Sequence, residues 1–580
     1  MMIVTASASA INSPRKPCCP VTRRLPCASP GRCAILSCVC KEGQRRFEAT
    51  AELVLCCRIL PLRGTSVQQQ TRSSDFDTDL LIVGGGINGT GIARDAAGRG
   101  LSVTLVEQDD LASHTSSAST KLIHGGLRYL EYREFRLVRE ALIERERLWR
   151  MAPHIIWPLE FVLPQSNSPR PAWLVRLGLF LYDHLGGRKR LPATRTVMLD
   201  RDAIGRGLKP GNPKAFVYSD CWVEDSRLVV LNARDAADRG ATILTHTRLI
   251  AARREESGGW LATIADAAGT RELRARALVN AAGPWVAQVL GTVPDARRDR
   301  GVRLVKGSHI VVPRLYDGGH AFLLQNPDRR VVFAIPYEQD YTLVGTTDES
   351  WQGEPAPAVI DQAETDYLLR TIARYFERSV APDDIVWTYS GIRPLYDDHA
   401  ADASAVTRDY VLNLDTGNSG APMLSVFGGK ITTYRKLAEH ALQQLARFFP
   451  AAGPAWTADV ALPGGDIVDA DFERYLSTLT ARYPALPAPL LRRLARAYGT
   501  RTERLLGDAR TTADLGADLG GGLFAREVDY LRDQEWATNV EDILFRRSKL
   551  GLHVPAGTDA RLDAYLASIS GSARGGSPVH

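Results

Sequence analysis

Cysteine is scarce wherever a fold could use it. Eight of the nine cysteines fall between Cys18 and Cys57, and only Cys221 follows in the rest of the 580-residue chain. A single cysteine makes no internal disulfide, and neither a C-x-x-C pair nor a zinc pattern occurs after Cys57. These absences exclude a disulfide scaffold and a dithiol redox centre, and they suit a reducing compartment. Long apolar runs are missing too. Leu53 to Cys57 is too short to span a bilayer, and the run Trp173 to Leu185 is broken by Arg176 and Asp183,. The net charge of +6 offers no general case for nucleic acid. Residues 1–75 hold 11 basic and 4 acidic residues, a net of +7, so the remainder of the chain carries −1,.

The basic leader has no acidic residue from Met1 to Cys40 and contains Arg and Ser, as transit peptides do,. Its composition favours instead a disordered extension, or an upstream stretch read from a misplaced start. Hydrophobic content of 44% and charged content of 24% are those of a globular protein, with length enough for two or three domains,.

What is present centres on DLLIVGGGINGTG, Asp79 to Gly91. Leu80 to Val83 reads as a buried parallel strand. Gly84, Gly86 and Gly89 follow in G-x-G-x-x-G spacing: the first for the tight turn, the second for close approach to a pyrophosphate, the third for helix packing,. A helix from Ile87 to Ala97, closed by Gly98, aims its amides and dipole at the phosphates. A second strand, Val103 to Val106, ends on Glu107, placed to bind ribose hydroxyls,. Glycine-rich turns alone serve plain geometry, but strand, glycines, helix, strand and acid together specify a dinucleotide site. No second fingerprint of this kind occurs, and one unit near the start of so long a chain points to a flavin rather than to a flavin with NAD(P).

Downstream, Ser113 to Thr120 forms a loop rich in hydroxyls beside the nucleotide site,. Glu134 to Met151 has helical amphipathic spacing, and Trp173 to Leu185 reads either as a packed helix or as one lying at a lipid interface. Asp225 to Arg239, a helix closed by Gly240, leads to the strand Ile243 to Thr245 and so back to the nucleotide sheet. Ala277 to Trp285 is a buried strand ending in small residues, Ala282 and Gly283 among them,. The runs HIVVP, RVVFAIP and YTLVGTT between Val302 and Thr347 suggest a mainly antiparallel substrate domain,. Ile385 to Lys436 is expected to return to the nucleotide sheet, with Gly428 and Gly429 again at a helix start. After Pro463 the pattern turns helical,. The expected organisation is α/β: a leader at 1–75, a Rossmann-type FAD-binding domain over 76–450 with the substrate domain inserted at about 150–220 and 300–385, a helical cap at 451–570 and a tail at 571–580.

The blocks GGGINGTGIARDAAGRGLSV, TSSASTKLIHGGLRYLEYREFRLVREAL, YSDCWVEDSRLV, NAAGPWV, KGSHIVVP, VGTTDES, WTYSGIRPL, TRDY and SVFGGKITTYRKLAEHAL carry a resemblance. Together, from about Asp79 to Leu550, the chain resembles the FAD-dependent sn-glycerol-3-phosphate dehydrogenases of bacterial respiratory membranes, within the D-amino-acid-oxidase-like flavoproteins. The resemblance implies oxidation of glycerol 3-phosphate at C2 to dihydroxyacetone phosphate, with electrons passed to ubiquinone by a protein peripheral on the cytoplasmic face of the membrane; a homodimer is one arrangement open to it. It implies an FAD site built from Gly84, Gly86, Asn88, Gly89, Glu107, Ser116, Ser117, Lys121, His124, Gly125, Gly126, Ala282, Gly283, Gly428, Gly429, Lys430, Ile431 and Thr432. No motif for a covalent flavin link is present.

A phosphate dianion calls for fixed cations, arginine above all for its bidentate fork. Arg128, Arg393, Arg408 and Lys430 match the family's basic positions, and Tyr129 and Thr346 add hydroxyls. His309, in KGSHIVVP, is the natural general base for the C2 hydroxyl proton. The family's catalysis has also been assigned to the arginine matching Arg393, but a guanidinium stays protonated, so it suits stabilising a developing alkoxide and orienting the substrate. Lys121 and His124 are expected beside the flavin, where a positive neighbour would favour its reduced form. A glycerol-3-phosphate oxidase using oxygen, or an amine or amino-acid oxidase of the same fold, remain as alternatives.

Overall fold

The computed structural model describes residues 75–573, apart from 167, 188–189, 257, 356 and 398–408. The leader expected at 1–75 lies outside the described residues, save Asp75, as does 574–580 of the tail.

Thr78–Val83 is the middle of a sheet whose order is 411–415, 423–427, 269–280, 78–83, 103–106 and 242–244. Within that order the pairs are parallel except at the edge strand Val411–Asp415, while Trp260–Asp266 and Arg248–Arg254 add on to 269–280 as antiparallel strands; the central strands are buried on both faces, which is why they read as continuous Leu, Ile and Val,. The helix Ile87–Gly98 packs among Asp225–Asp238 and Tyr434–Leu445 through Ile92, Ala93, Ala96, Val230, Ala233 and Ala438. Gly98 does not close that helix. A Cβ there would lie 2.1 Å from the Trp456 ring, so Gly98 admits the tryptophan, while Gly100, at φ +85°, makes the left-handed stop,.

Among the described residues a second sheet of ten strands runs in the order 349–350, 302–313, 341–345, 331–337, 321–325, 156–164, 214–223 and 122–123, with 387–396 and 195–198 paired alongside. It is antiparallel except where Ala321–Gln325 meets Ile156–Pro164. One expectation is corrected here. Trp387–Tyr396 does not return to the nucleotide sheet but pairs with Val302–Pro313 along its whole length, Val302 opposite Tyr396 and Val311 opposite Trp387. Only Val411–Asp415 and Met423–Phe427 make the return.

The C-terminal part has its own core, formed by Leu491, Leu494, Leu506, Val528, Leu531, Ile543 and Leu562. Ala488–Tyr498 shows why: Leu490, Leu491, Leu494, Ala495 and Tyr498 share one helical stripe and are buried, while Arg492 faces outwards and Arg493 pairs with the buried Glu527,. Charge fastens this part to the nucleotide domain. Asp110 accepts from Arg547 Nη1 at 2.6 Å and Nη2 at 2.7 Å, and from Arg546 Nε at 2.7 Å. Arg227 pairs with Glu535.

Arg547 and Asp110 are both buried. Asp110→Ala is therefore expected to cost about 3–5 kcal/mol, because it strands a buried guanidinium. A urea titration reads this; a loss below about 1 kcal/mol, the scale of an exposed pair, would show that the junction does not depend on it.

Candidate active site

A cavity of about 710 Å³ opens at the C-terminal ends of the parallel strands and runs on beneath the second sheet. One end is nearly bare backbone. Gly84 takes φ +113°, and a Cβ there would stand 2.5 Å from Ala281 O. Gly86 precedes the helix, whose first amide, Ile87 N, donates to Ser116 Oγ at 3.0 Å. Glu107, at the end of Val103–Val106, accepts from Gly85 N at 2.6 Å and Asp109 N at 2.9 Å, which sets its carboxylate at the cavity wall. Burial pushes that carboxyl above its ordinary value, against the pull of the two amides. Asn88 donates to Gly428 O at 3.2 Å while its Oδ1, buried against the cavity, has no partner. His124, Gly126, Ala282, Gly283, Gly428, Gly429, Ile431 and Thr432 complete this wall.

Four of the expected cofactor residues do not line the cavity. Gly89 works from behind: a Cβ there would lie 1.9 Å from Gly84 O, so its role is helix packing. Gly125 donates its amide to Tyr182 Oη at 2.7 Å and packs against Leu142. Ser117 Oγ donates to His114 O at 3.1 Å. Lys121 is corrected most sharply. It is fully buried, with Nζ 2.9 Å from both oxygens of Asp225 and 3.0 Å from Ser117 O. A buried ammonium needs a counter-ion, and the one it finds turns it away from the cavity.

At the other end the walls become cationic. Arg128 stands on the turn Leu127–Leu130 and makes no ion pair among the described residues. Lys430 Nζ lies 3.9 Å from the centroid of the Tyr129 ring. Arg393, Thr346 and His309 enter from three neighbouring strands and strand ends of the second sheet. Arg408 lies outside the described residues. The His309 Nε2 is 3.0 Å from Thr120 Oγ1, and the ring stacks on Tyr389 at 4.7 Å. Burial, reinforced by the positive charges of Arg393 and Lys121, holds its pKa well below the usual imidazole value. The space for the ring comes from the facing residue: a Cβ on Gly345 would stand 2.1 Å from His309 Cδ2.

Sequence reasoning passed over Asp348, Arg330 and Arg248, which also line the cavity. Asp348 lies within the motif VGTTDES, but a search for phosphate-binding cations gives no reason to select a carboxylate. Arg330 is tied to Asp328 and Glu349 and stands over Tyr367.

A parallel sheet with a glycine cradle at its carboxyl edge, opening onto a charged antiparallel sheet, defines a flavin oxidoreductase, and comparison with known proteins agrees. Residues 79–435 match the family of FAD dependent oxidoreductases, and residues 455–568 match the C-terminal domain of alpha-glycerophosphate oxidase. The chain belongs to this family, and its cofactor is FAD. It is 55% identical over 491 residues to a glycerol-3-phosphate dehydrogenase of Pseudomonas aeruginosa, covering 84% of this chain and 95% of that one. It is 54% identical over 490 residues to a D-erythritol 1-phosphate dehydrogenase of Brucella abortus, covering 84% and 97%. Among solved structures, a glycerol-3-phosphate dehydrogenase from Bacillus halodurans complexed with FAD matches with a TM-score of 0.65 at 27% identity, over 82% of this chain and 86% of that one.

The lining fits FAD. Gly84 and Gly86 leave backbone bare for a pyrophosphate, the helix N-terminus faces it, Asn88 Oδ1 lacks a partner, and Glu107 is placed for ribose hydroxyls,. Gly84→Ala forces an L side chain into positive φ against Ala281 and is expected to weaken FAD binding about 30-fold, from about 2 kcal/mol of strain. Flavin fluorescence titration of the apoprotein measures it; wild-type affinity in the variant would remove Gly84 from the cradle.

Proposed function

We propose that the chain oxidises a small polyol phosphate at a secondary alcohol, with sn-glycerol 3-phosphate as substrate and dihydroxyacetone phosphate as product. The observation that carries this reading is the meeting, in one cavity, of the FAD cradle with Arg128, Lys430 and Arg393. Arg128 and Lys430 serve as the phosphate anchor, with Tyr129 beside them. A phosphate held there leaves the carbinol to reach towards Arg393, Thr346 and His309. FAD, when bound, supplies the acceptor for the hydride that leaves C2. The Arg393 guanidinium stays protonated and stabilises the oxygen as it gains negative charge. His309, kept neutral by its surroundings, accepts the hydroxyl proton,.

A second reading has its own support. The Brucella abortus relative is named for D-erythritol 1-phosphate, a polyol phosphate one CHOH longer, at the same level of identity as the glycerol-3-phosphate dehydrogenase of Pseudomonas aeruginosa. The phosphate anchor would serve either compound.

For the electrons we favour ubiquinone at a membrane surface over oxygen. Among the described residues no helix is long and apolar enough to cross a membrane. The helix Ala172–Leu185 supports a peripheral attachment: it buries Leu179 and Tyr182 and exposes Trp173 (69%), Leu174, Leu177 and Phe180 (50%),. Its Tyr182 holds the amide of Gly125, next to the cavity wall.

Anaerobic addition of sn-glycerol 3-phosphate should bleach the flavin. Arg128→Ala should raise KM by about 30- to 100-fold, the worth of a charged phosphate contact, with kcat little changed. Faster bleaching by D-erythritol 1-phosphate would select the longer substrate, and bleaching by neither would end the reading. Mixing the reduced enzyme with a ubiquinone analogue or with oxygen then decides the acceptor.

A pH profile tests the histidine. Because its folded pKa is depressed, His309 stays neutral as pH falls through the usual imidazole range. Thus kcat, which reports the enzyme–substrate complex, should stay flat from about pH 8 to about pH 6. A fall centred near pH 6.5 would show an unperturbed imidazole.

A further inference from the structure

An arginine that stabilises a developing alkoxide must be aimed, because a flexible four-bond side chain offers its donors in many directions. In this fold Arg393 is aimed by its surroundings. It stands on Trp387–Tyr396 opposite Val305, and its guanidinium lies over Gly307, where a Cβ would fall 2.1 Å from Nη2 and 2.7 Å from Cζ. Nη1 donates to Asp348 Oδ1 at 2.7 Å, and Nη2 donates to Thr346 Oγ1 at 2.8 Å. Both partners sit just after the strand Tyr341–Gly345, and both line the cavity.

That strand end is secured from behind. Thr347 Oγ1 accepts from Ser308 N at 2.8 Å and donates to Glu364 Oε1 at 2.6 Å. Glu364 is buried, accepts from Ser308 Oγ at 2.9 Å and pairs with Lys306 at 2.9 Å. Asp348 therefore hangs on a segment that cannot swing without breaking a buried polar network, and such a break is costly.

We propose that Asp348 is the positioning residue for Arg393, holding one end of the fork so that its outer donors face the substrate oxygen. This rests on the oxidation proposed above and assigns the part that the neighbouring carboxylate plays in it. A charge-assisted N–H···O bond is short and directional, and the planar fork converts a bond at one nitrogen into an orientation for the rest. The carboxylate acts through the arginine and does not itself take the proton.

The test uses the FAD-loaded enzyme and stopped-flow reduction by sn-glycerol 3-phosphate. Asp348→Ala should slow the limiting rate about 100-fold, the scale of a misplacement near 1 Å, while the apparent Kd moves less than about threefold. Asp348→Asn, whose amide oxygen can accept the same Nη1 bond, should stay within about tenfold of wild type. In the Arg393→Ala background, Asp348→Ala should add nothing, since there is no guanidinium left to aim. Losses that multiply in the double variant, or an asparagine variant as slow as the alanine one, would overturn the assignment in favour of a direct proton acceptor. A crystal structure of the Asp348→Ala holoenzyme gives a readout free of turnover: the guanidinium should leave its place over Gly307, and finding it unmoved overturns the proposal. If wild type is not reduced by polyol phosphates, the proposed substrate class fails, while the crystal measurement still decides the role of Asp348.

Discussion

Close approach is what the site depends on, and at four places it exists because a residue has no side chain. The carbonyl of Gly84 would lie within 1.9 Å of a Cβ at Gly89, so the strand and helix of the nucleotide unit meet only through glycine. The guanidinium of Arg393 occupies the space above Gly307, and the ring of His309 the space above Gly345. Gly391, which pairs with Gly307 across the strands, in turn lies against Ala118 and Thr115 of the hydroxyl-rich loop. A methyl group at any of these positions would have to displace backbone or a neighbouring side chain. In a close-packed interior such displacements have no free volume to enter.

Charge is distributed by the same logic of access. Away from the cavity, several buried cations have a carboxylate at hydrogen-bond distance: Lys121 with Asp225, Arg94 with Asp235, Arg145 with Asp220, Arg547 with Asp110. These pairs join segments distant in sequence and so hold the two sheets and the helical part in one arrangement. Breaking any one of them leaves an uncompensated charge in a medium that solvates it poorly. Within the cavity the balance is different. Arg128 has no carboxylate partner among the described residues, whereas Arg393 keeps one in Asp348. A cation without a counter-ion is suited to holding a phosphate dianion, and one with a counter-ion to holding a fixed direction.

The two relatives at 54% and 55% identity, one named for a four-carbon and one for a three-carbon polyol phosphate, are consistent with this division. An anchor that recognises only the phosphate leaves chain length to be decided elsewhere along the cavity wall. The strands Ala321–Gln325 and Val331–Tyr337 contribute Leu323, Val331 and Phe333 to that wall. An apolar wall of this kind discriminates a single extra carbon only weakly.

Local rules settled a definite share of this protein. The strand Thr78–Val83, the glycine turn, the helix starting at Ile87 and the strand Val103–Val106 ending on Glu107 lie within about one turn of backbone of where periodicity and glycine spacing put them, because each depends on neighbours only a few residues away,. The cationic residues were legible as types within motif blocks. What the sequence left open was every pairing across long chain separations. Trp387–Tyr396 joins the second sheet because its register matches Val302–Pro313, some eighty residues earlier,. Lys121 turns from the flavin side because Asp225, 104 residues on, lies within its reach, and Asp348 gains a role only because Arg393, 45 residues on, folds against it. Side-chain direction in a buried site follows the nearest opposite charge in space, and only the tertiary structure decides which charge that is.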